Sequence, residues 1–153
     1  MAQRQINNSK HIAVLIIAVC FVIADRFLKT LALNLGHETT IIKHWLEFSL
    51  IKNSNAAFSL TFGFDVIWLA IIITLLALAW LNRSLRKKNY LKSLALAMLI
   101  LGALSNIYDR LIYGAVIDYF NFANLNIFNL ADCLIVTAAI ILLWQEFKSQ
   151  KKN

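Results

Sequence analysis

Apolar residues in this chain gather into four long runs, and the lengths of those runs decide the first question about it. Ile12 to Ala24 and Val66 to Leu81 carry no charge, and two further runs extend from Leu91 to Ile107 and from Leu130 to Trp144. A transmembrane helix needs about 20 mainly apolar residues. The pattern therefore predicts spans over about 11–33, 57–81, 91–108 and 130–145, the last two continuing into flanking residues such as Tyr108 and Gln145. Between the first two spans the period changes. Over Thr39 to Lys52, Leu46, Phe48 and Leu50 alternate with Glu47 and Ser49, a period of two that predicts a half-buried hairpin or small sheet lying on the membrane surface. Gly114 to Phe128 is rich in aromatic and amide side chains (Tyr119, Phe120, Asn121, Phe122, Asn124, Asn126, Phe128). That mixture suits headgroup depth and is expected as an outer loop.

The basic residues orient these spans. Arg4, Lys10, Arg83, Arg86, Lys87, Lys88, Lys92, Lys148, Lys151 and Lys152 put ten positive charges on one side, against Lys43, Lys52 and Arg110 on the other. Arg26 and Lys29 lie near the far end of span one. Lys and Arg collect on the cytoplasmic side, so both termini are expected there and the two longer loops outside. The first run has the basic start of a cleaved signal peptide. No small-x-small site follows it, Asp25-Arg26 come directly after the run, and Val19 is too large for the position before a lipobox-like Cys20. It is read as a retained span. The fold class is an all-α membrane protein: four transmembrane helices with a small extracytoplasmic β-sheet and an outer loop over the site, in a single integral-membrane domain over 1–153.

Composition agrees. At 153 residues and 17.4 kDa the chain is one domain's worth of sequence. Hydrophobic residues make up 60% and charged ones 15%, against about 45–50% and about 25% in soluble domains. With a mean hydropathy of +0.68, disorder is excluded. The net charge of +7 would suggest nucleic acid in a soluble protein, but its one-sided placement makes it a topology signal, and no nucleic-acid partner is expected. Cys20 and Cys133 sit inside apolar stretches without metal-ligand spacing, so neither a disulfide framework nor a metal centre is expected.

The polar residues carry the chemistry. Ionisable groups in a span cost roughly 2.5–3.5 kcal/mol at the helix centre, yet Asp25, Asp109, Asp118 and Asp132, with Asn53, Asn55, Asn106 and Asn129, stand at or near the outer ends of all four spans. Asp25 and Lys29 share a helical face. They read either as a span end whose lysine snorkels to the headgroups or as part of a polar site facing the bundle. Asn106 and Asp109 also share a face, and Arg110 adjoins the acid, which reads as a charge-paired end of span three or as a site element. Asp118 has no Lys or Arg within seven residues on either side, and an acid in apolar surroundings has its pKa raised. Asp132 lies in the first turn of span four, where the helix dipole favours an anion. Two such carboxylates meeting at a water-accessible, low-dielectric site share one proton. One member can take a proton from water while the other polarises a carbonyl, as amide hydrolysis requires. His11, His37 and His44 lack metal-ligand spacing, and there is no G-x-S-x-G or Walker-type loop.

These residues stand in blocks that resemble the lipoprotein signal peptidases (type II signal peptidases), four-span bacterial aspartic proteases. Asp25-Arg26-Phe27-Leu28-Lys29 resembles the family's D-x-x-x-K, and Lys52-Asn53-Ser54-Asn55-Ala56-Ala57-Phe58 resembles R-N-x-G-A-A-F. Gly102 to Arg110 (GALSNIYDR) resembles G-A-L-G-N-x-x-D-R, Gly114 to Asp118 (GAVID) resembles G-x-V-x-D, and Phe128 to Asp132 (FNLAD) resembles F-N-x-A-D. The resemblance implies that Asp118 and Asp132 form a catalytic dyad, and that Asp25, Lys29, Asn53, Asn106, Asp109, Arg110 and Asn129 line and brace it. It implies an enzyme of the inner membrane, without cofactor, that cuts diacylglyceryl-modified prolipoproteins on the amino side of the lipidated cysteine at the outer (periplasmic) face. It also implies sensitivity to globomycin-like peptides. Membrane lipid is the other expected partner, and a monomer is expected. Asn55 and Ser105 depart from family glycines, and Lys52 from an arginine. Two other readings are carried: a divergent, non-catalytic paralogue that binds lipidated signal peptides, and a small proton- or ion-linked transporter, whose conducting path should place acids at mid-depth in the spans.

Overall fold

The structure, a computed structural model, describes residues 2–35, 39–54, 63–123 and 125–150. The expected start of the second span (57–62) lies outside the described residues, as do Asn55-Ala56-Ala57-Phe58, Asn124, Lys151 and Lys152. In chain order the elements are α1 (Ala2–Asn34), β1 (Thr39–Ile42), β2 (Leu46–Asn53), α2 (Gly63–Arg86), α3 (Tyr90–Tyr113), β3 (Val116–Phe122), β4 (Asn126–Phe128) and α4 (Leu130–Gln150). Among the described residues, Ile67–Arg86, Tyr90–Tyr113 and Leu130–Gln150 are long and apolar enough to cross a membrane. Helix α1 has 33 residues and carries Asp25, Arg26 and Lys29 in its second half. The third and fourth helices do run past 108 and 145, as the sequence suggested.

Burial is inverted relative to a soluble bundle. On α1, Ile16, Ile23, Phe27 and Leu31 are exposed, while Ala18, Asp25, Lys29 and Ala32 form the buried stripe. Their spacing of seven, four and three residues keeps them on one helical face. Helix α3 is central: Leu96 and Ile100 pack with Ala77 of α2, while Met98 packs with Ala18 of α1 and with Leu134 and Ala138 of α4. Gly102 permits the closest approach. A Cβ there would stand 2.7 Å from the Ala131 carbonyl oxygen and 2.9 Å from Ile135 Cγ1, so only glycine lets α3 touch the start of α4 at this separation.

The strands form one antiparallel sheet in the order β1-β2-β3-β4 at the end of the bundle where α1 and α3 finish and α4 begins. The strand expectation for Thr39–Lys52 is met by β1 and β2. The Gly114–Phe128 segment, expected as a loop, is instead the hairpin β3–β4. Aromatic and β-branched residues there favour a half-buried pleated surface, and Phe120 packs against Phe48, Tyr119 and Phe128 with ring centroids 6.1, 4.9 and 5.6 Å away. Gly114 closes α3 in the left-handed region (φ 72°) and donates its N–H to the Arg110 carbonyl, a conformation glycine adopts without penalty. The chain thus turns from α3 straight into β3.

Candidate active site

Where α1, α3, α4 and the sheet meet, buried polar side chains replace the apolar core. Asp25, Asp109, Asp118 and Asn129 are at most 1% exposed and Lys29 is 2% exposed. Buried charges persist only when paired and hydrogen-bonded, and here they are. Lys29 Nζ lies 3.1 Å from Asp25 Oδ2 and 2.6 Å from Asp109 Oδ2, and it donates to Asn106 Oδ1 at 2.9 Å. An ammonium has three donors, and all three are used. Arg26 Nη2 donates to Asp109 Oδ1 at 2.5 Å. Two carboxylates are thus balanced by two cations, all four from α1 and α3. The lysine does not snorkel; Asp25 and Lys29 face the bundle.

Arg110 does not supply the charge partner expected for Asp109, which is held by Arg26 and Lys29 of α1 and also accepts the Ile117 N–H at 3.2 Å. Adjacent residues on a helix point about 100° apart, so the neighbour in sequence is a poorer partner than one across the helix interface. Arg110 is half-buried, with its charge close enough to act on Asp132, Asp118 and Asp109.

Asp118 and Asp132 arrive from different elements and are joined through asparagines. On β3, Asp118 Oδ2 accepts from Asn53 Nδ2 at 2.9 Å and its Oδ1 from Asn129 Nδ2 at 2.6 Å. Asp132 Oδ1 accepts from Asn106 Nδ2 at 2.7 Å. Asn106 Oδ1 is occupied by Lys29 and by Asn129 Nδ2 at 3.2 Å, which orients its amide so that the NH2 faces Asp132. One network therefore runs Asn53–Asp118–Asn129–Asn106–Asp132.

A β-bulge brings Asn53 to this network. Phe48 pairs with Phe120, but Ile51 pairs with Asp118 and Asn53 with Val116, so β2 carries one extra residue between Phe48 and Ile51. A shift of one residue exchanges the faces of a strand. Without it, Asn53 would face away from Asp118.

The first turn of α4 is fully capped. Its leading N–H groups have no partners within the helix. Leu130 N–H goes to the Tyr119 hydroxyl at 2.9 Å, Ala131 N–H to Asp25 Oδ1 at 3.3 Å, and Asp132 N–H to Asn129 Oδ1 at 2.9 Å. Asp132 Oδ2 accepts the Asn129 N–H at 3.3 Å in return, completing a capping box. Asp25 also accepts from Ser105 Oγ at 2.6 Å and from the Tyr119 hydroxyl at 2.9 Å.

Burial pushes the Asp118 carboxyl up to about 6, helped by the Asp132 charge and opposed by hydrogen bonds from Asn53 and Asn129 and by the Lys29 charge. Burial and the neighbouring Asp25 raise the Tyr119 hydroxyl above its ordinary value, so it remains a donor. Such acids in a shared site are suited to proton transfer.

Asp25, Lys29, Asn53, Asn106, Asp109, Arg110, Asp118, Asn129 and Asp132, all singled out in the sequence, converge here; Asn55, singled out with them, lies outside the described residues. Arg26, Ser105 and Tyr119 were missed. Arg26 reads in sequence as a span-end charge, Ser105 as a departure from a family glycine, and Tyr119 as one aromatic among several. Their only sequence signal was adjacency to the blocks. Among the described residues no group of three or more His, Cys, Asp or Glu side chains is arranged to hold a metal ion.

Residues 17–148 match the family model described as "Signal peptidase (SPase) II". The chain is 33% identical to a lipoprotein signal peptidase of Ectopseudomonas mendocina (strain ymp), over 92% of this chain and 91% of that protein. It is 31% identical to one of Lactobacillus gasseri, over 95% of this chain and 99% of the relative. Its fold is similar to a bacterial membrane enzyme solved by the in meso method at 2.3 Å resolution, with a TM-score of 0.77, 26% identity, and 92% and 91% of the two chains covered. A second such structure at 1.9 Å gives a TM-score of 0.71 at 27% identity, covering 89% and 93%.

Proposed function

The chain belongs to the signal peptidase II family of membrane proteases, which remove signal peptides from prolipoproteins, and from that premise we propose that it does so as an aspartic endopeptidase with Asp118 and Asp132 as its dyad. The observation that carries this reading is the asparagine network, which ties two acids from β3 and α4 to one another while Lys29 anchors its middle. The pair holds one proton near neutrality. Its ionised member takes a proton from a water, and the resulting hydroxide attacks the scissile carbonyl. The protonated member hydrogen-bonds the carbonyl oxygen as charge develops there, then passes its proton to the leaving amine as the C–N bond breaks. Asn53, Asn106 and Asn129 orient the acids; Asp25, Lys29, Asp109 and Arg110 brace them. No metal or covalent nucleophile enters.

The substrate is a prolipoprotein whose cysteine carries diacylglycerol, cut on the amino side of that cysteine. A bond beside a lipidated residue sits at headgroup depth, and the outer ends of the helices place acids at that depth. The chain is a single domain spanning the inner membrane four times, α1 being the span that carries the charged brace, with both termini in the cytoplasm and the site at the outer face. It works as a monomer, and globomycin-like peptides compete at the dyad. The test is to incubate wild type, Asp118→Asn and Asp132→Asn in detergent with a lipidated precursor. Each variant is expected to lose at least about a hundredfold in kcat, the scale of a lost general acid or base. Wild-type turnover by either refutes the assignment.

A further inference from the structure

Asp118 and Asp132 lie on separate elements joined by the β3–β4 hairpin, and something must hold the strand against the helix start at a constant spacing. Tyr119, the residue after Asp118, spans that gap. Its ring is fully buried against Phe48 and Phe120, at centroid distances of 5.5 and 4.9 Å, so it has little freedom to turn. Its hydroxyl accepts the Leu130 N–H at 2.9 Å, two residues before Asp132, and donates to Asp25 Oδ1 at 2.9 Å. The same Asp25 oxygen accepts the Ala131 N–H at 3.3 Å. Asp25 is itself held by Lys29 and Ser105. One phenol oxygen therefore links the strand carrying one acid, the first turn of the helix carrying the other, and the fixed charge cluster of α1.

We propose that the Tyr119 hydroxyl is a positioning residue that sets the separation of Asp118 and Asp132. This rests on the dyad assignment above. Phenylalanine at 119 would retain the ring packing and lose the link, freeing the first turn of α4 to shift. Misplacing reacting groups by about 1 Å costs on the order of a hundredfold in rate, so a partial shift should lower kcat by about tenfold.

The experiment compares wild type and Tyr119→Phe on a lipidated precursor across pH, with amide exchange at Leu130 and thermal unfolding measured on the same samples. The expected result is a kcat about tenfold lower per folded molecule, with KM within about twofold, a displaced acid limb in the pH profile and faster exchange at Leu130. The displaced limb follows because the influence of Asp132 on Asp118 depends on their spacing. Wild-type kcat and pH profile despite faster Leu130 exchange would overturn the proposal. So would lowered thermal stability with kcat and pH profile intact, which is the behaviour of a purely structural residue. If wild type itself leaves the precursor uncut, the peptidase reading fails, and that outcome is separate from any difference between the two proteins.

Discussion

Replacing Asp118 by asparagine should make the protein more stable at neutral and alkaline pH and leave it close to wild type in acid. The folded protein holds the Asp118 carboxyl at about 6, raised from an ordinary value of 3.8 chiefly by burial. An acid whose pKa is raised on folding binds its proton more tightly in the folded state. Its contribution is most favourable below about 3.8, and it is lost as pH rises through about 6. The shift of roughly two units, at about 1.36 kcal/mol each, corresponds to about 3 kcal/mol. Because Asp118 is 1% exposed, solvent screening does not reduce that figure much. Asparagine does not titrate, so the stability difference between Asp118→Asn and wild type should move in the variant's favour by about 3 kcal/mol between about pH 4 and about pH 8. For a chain of this size that corresponds to about 6–12 °C in Tm. Thermal unfolding of both proteins in one detergent, at closely spaced pH values, measures it. The Asp132 charge is one cause of the shift, so the same comparison made in an Asp132→Asn background should show a smaller pH dependence. A variant-to-wild-type difference that stays constant across the pH range refutes the reasoning. The activity lost by this variant and its gain in stability would then arise from one cause, a buried acid kept for chemistry at the expense of the fold.

Two further outcomes test the scaffold. Lys29→Met leaves Asp25 and Asp109 short of a buried cation and is expected to destabilise by about 3–5 kcal/mol, with the Lys29→Met/Asp25→Asn double variant recovering part of the loss in a double-mutant cycle; a cost below about 1 kcal/mol would mean that the cluster is solvated. Gly102→Ala must push α3 away from the Ala131 carbonyl and is expected to cost about 1–3 kcal/mol and to lower turnover by shifting Asp132, as read by denaturant titration and precursor cleavage; an unperturbed protein would show that the α3–α4 contact is slack.

How much was legible in advance varied with the range of the interaction. The strands over Thr39–Lys52 were readable because alternation is a local property, each residue's face being set by its neighbours. The β3–β4 hairpin was not, since Val116 to Tyr119 are buried as a continuous run and so lack the alternation that marks a half-exposed strand. The acids were conspicuous because charge in an apolar chain is costly wherever it falls. Their partners were not. Arg110 and Arg26 are equally good cations on paper for Asp109, and only the α1–α3 packing selects Arg26. Ser105, at a position where the family pattern has glycine, donates a hydrogen bond to a buried carboxylate, a partner that only the α1–α3 packing supplies.

The sequence by itself determined the apolar runs, the clustering of basic charge between and beyond them, the sheet-forming alternation after the first helix, and the presence of four acids near the ends of the apolar runs. Each of these follows from hydropathy, charge or a short period, and needs no knowledge of distant residues. Only the tertiary structure decided which groups meet. The bulge in β2 turns Asn53 toward Asp118, Gly102 lets α4 approach closely enough for Asn106 to reach Asp132, and the Tyr119 hydroxyl caps a helix that begins eleven residues later. Those outcomes depend on strand register and helix separation, where a shift of one residue or about one ångström changes the partner, and such margins are set by the packing of the whole chain.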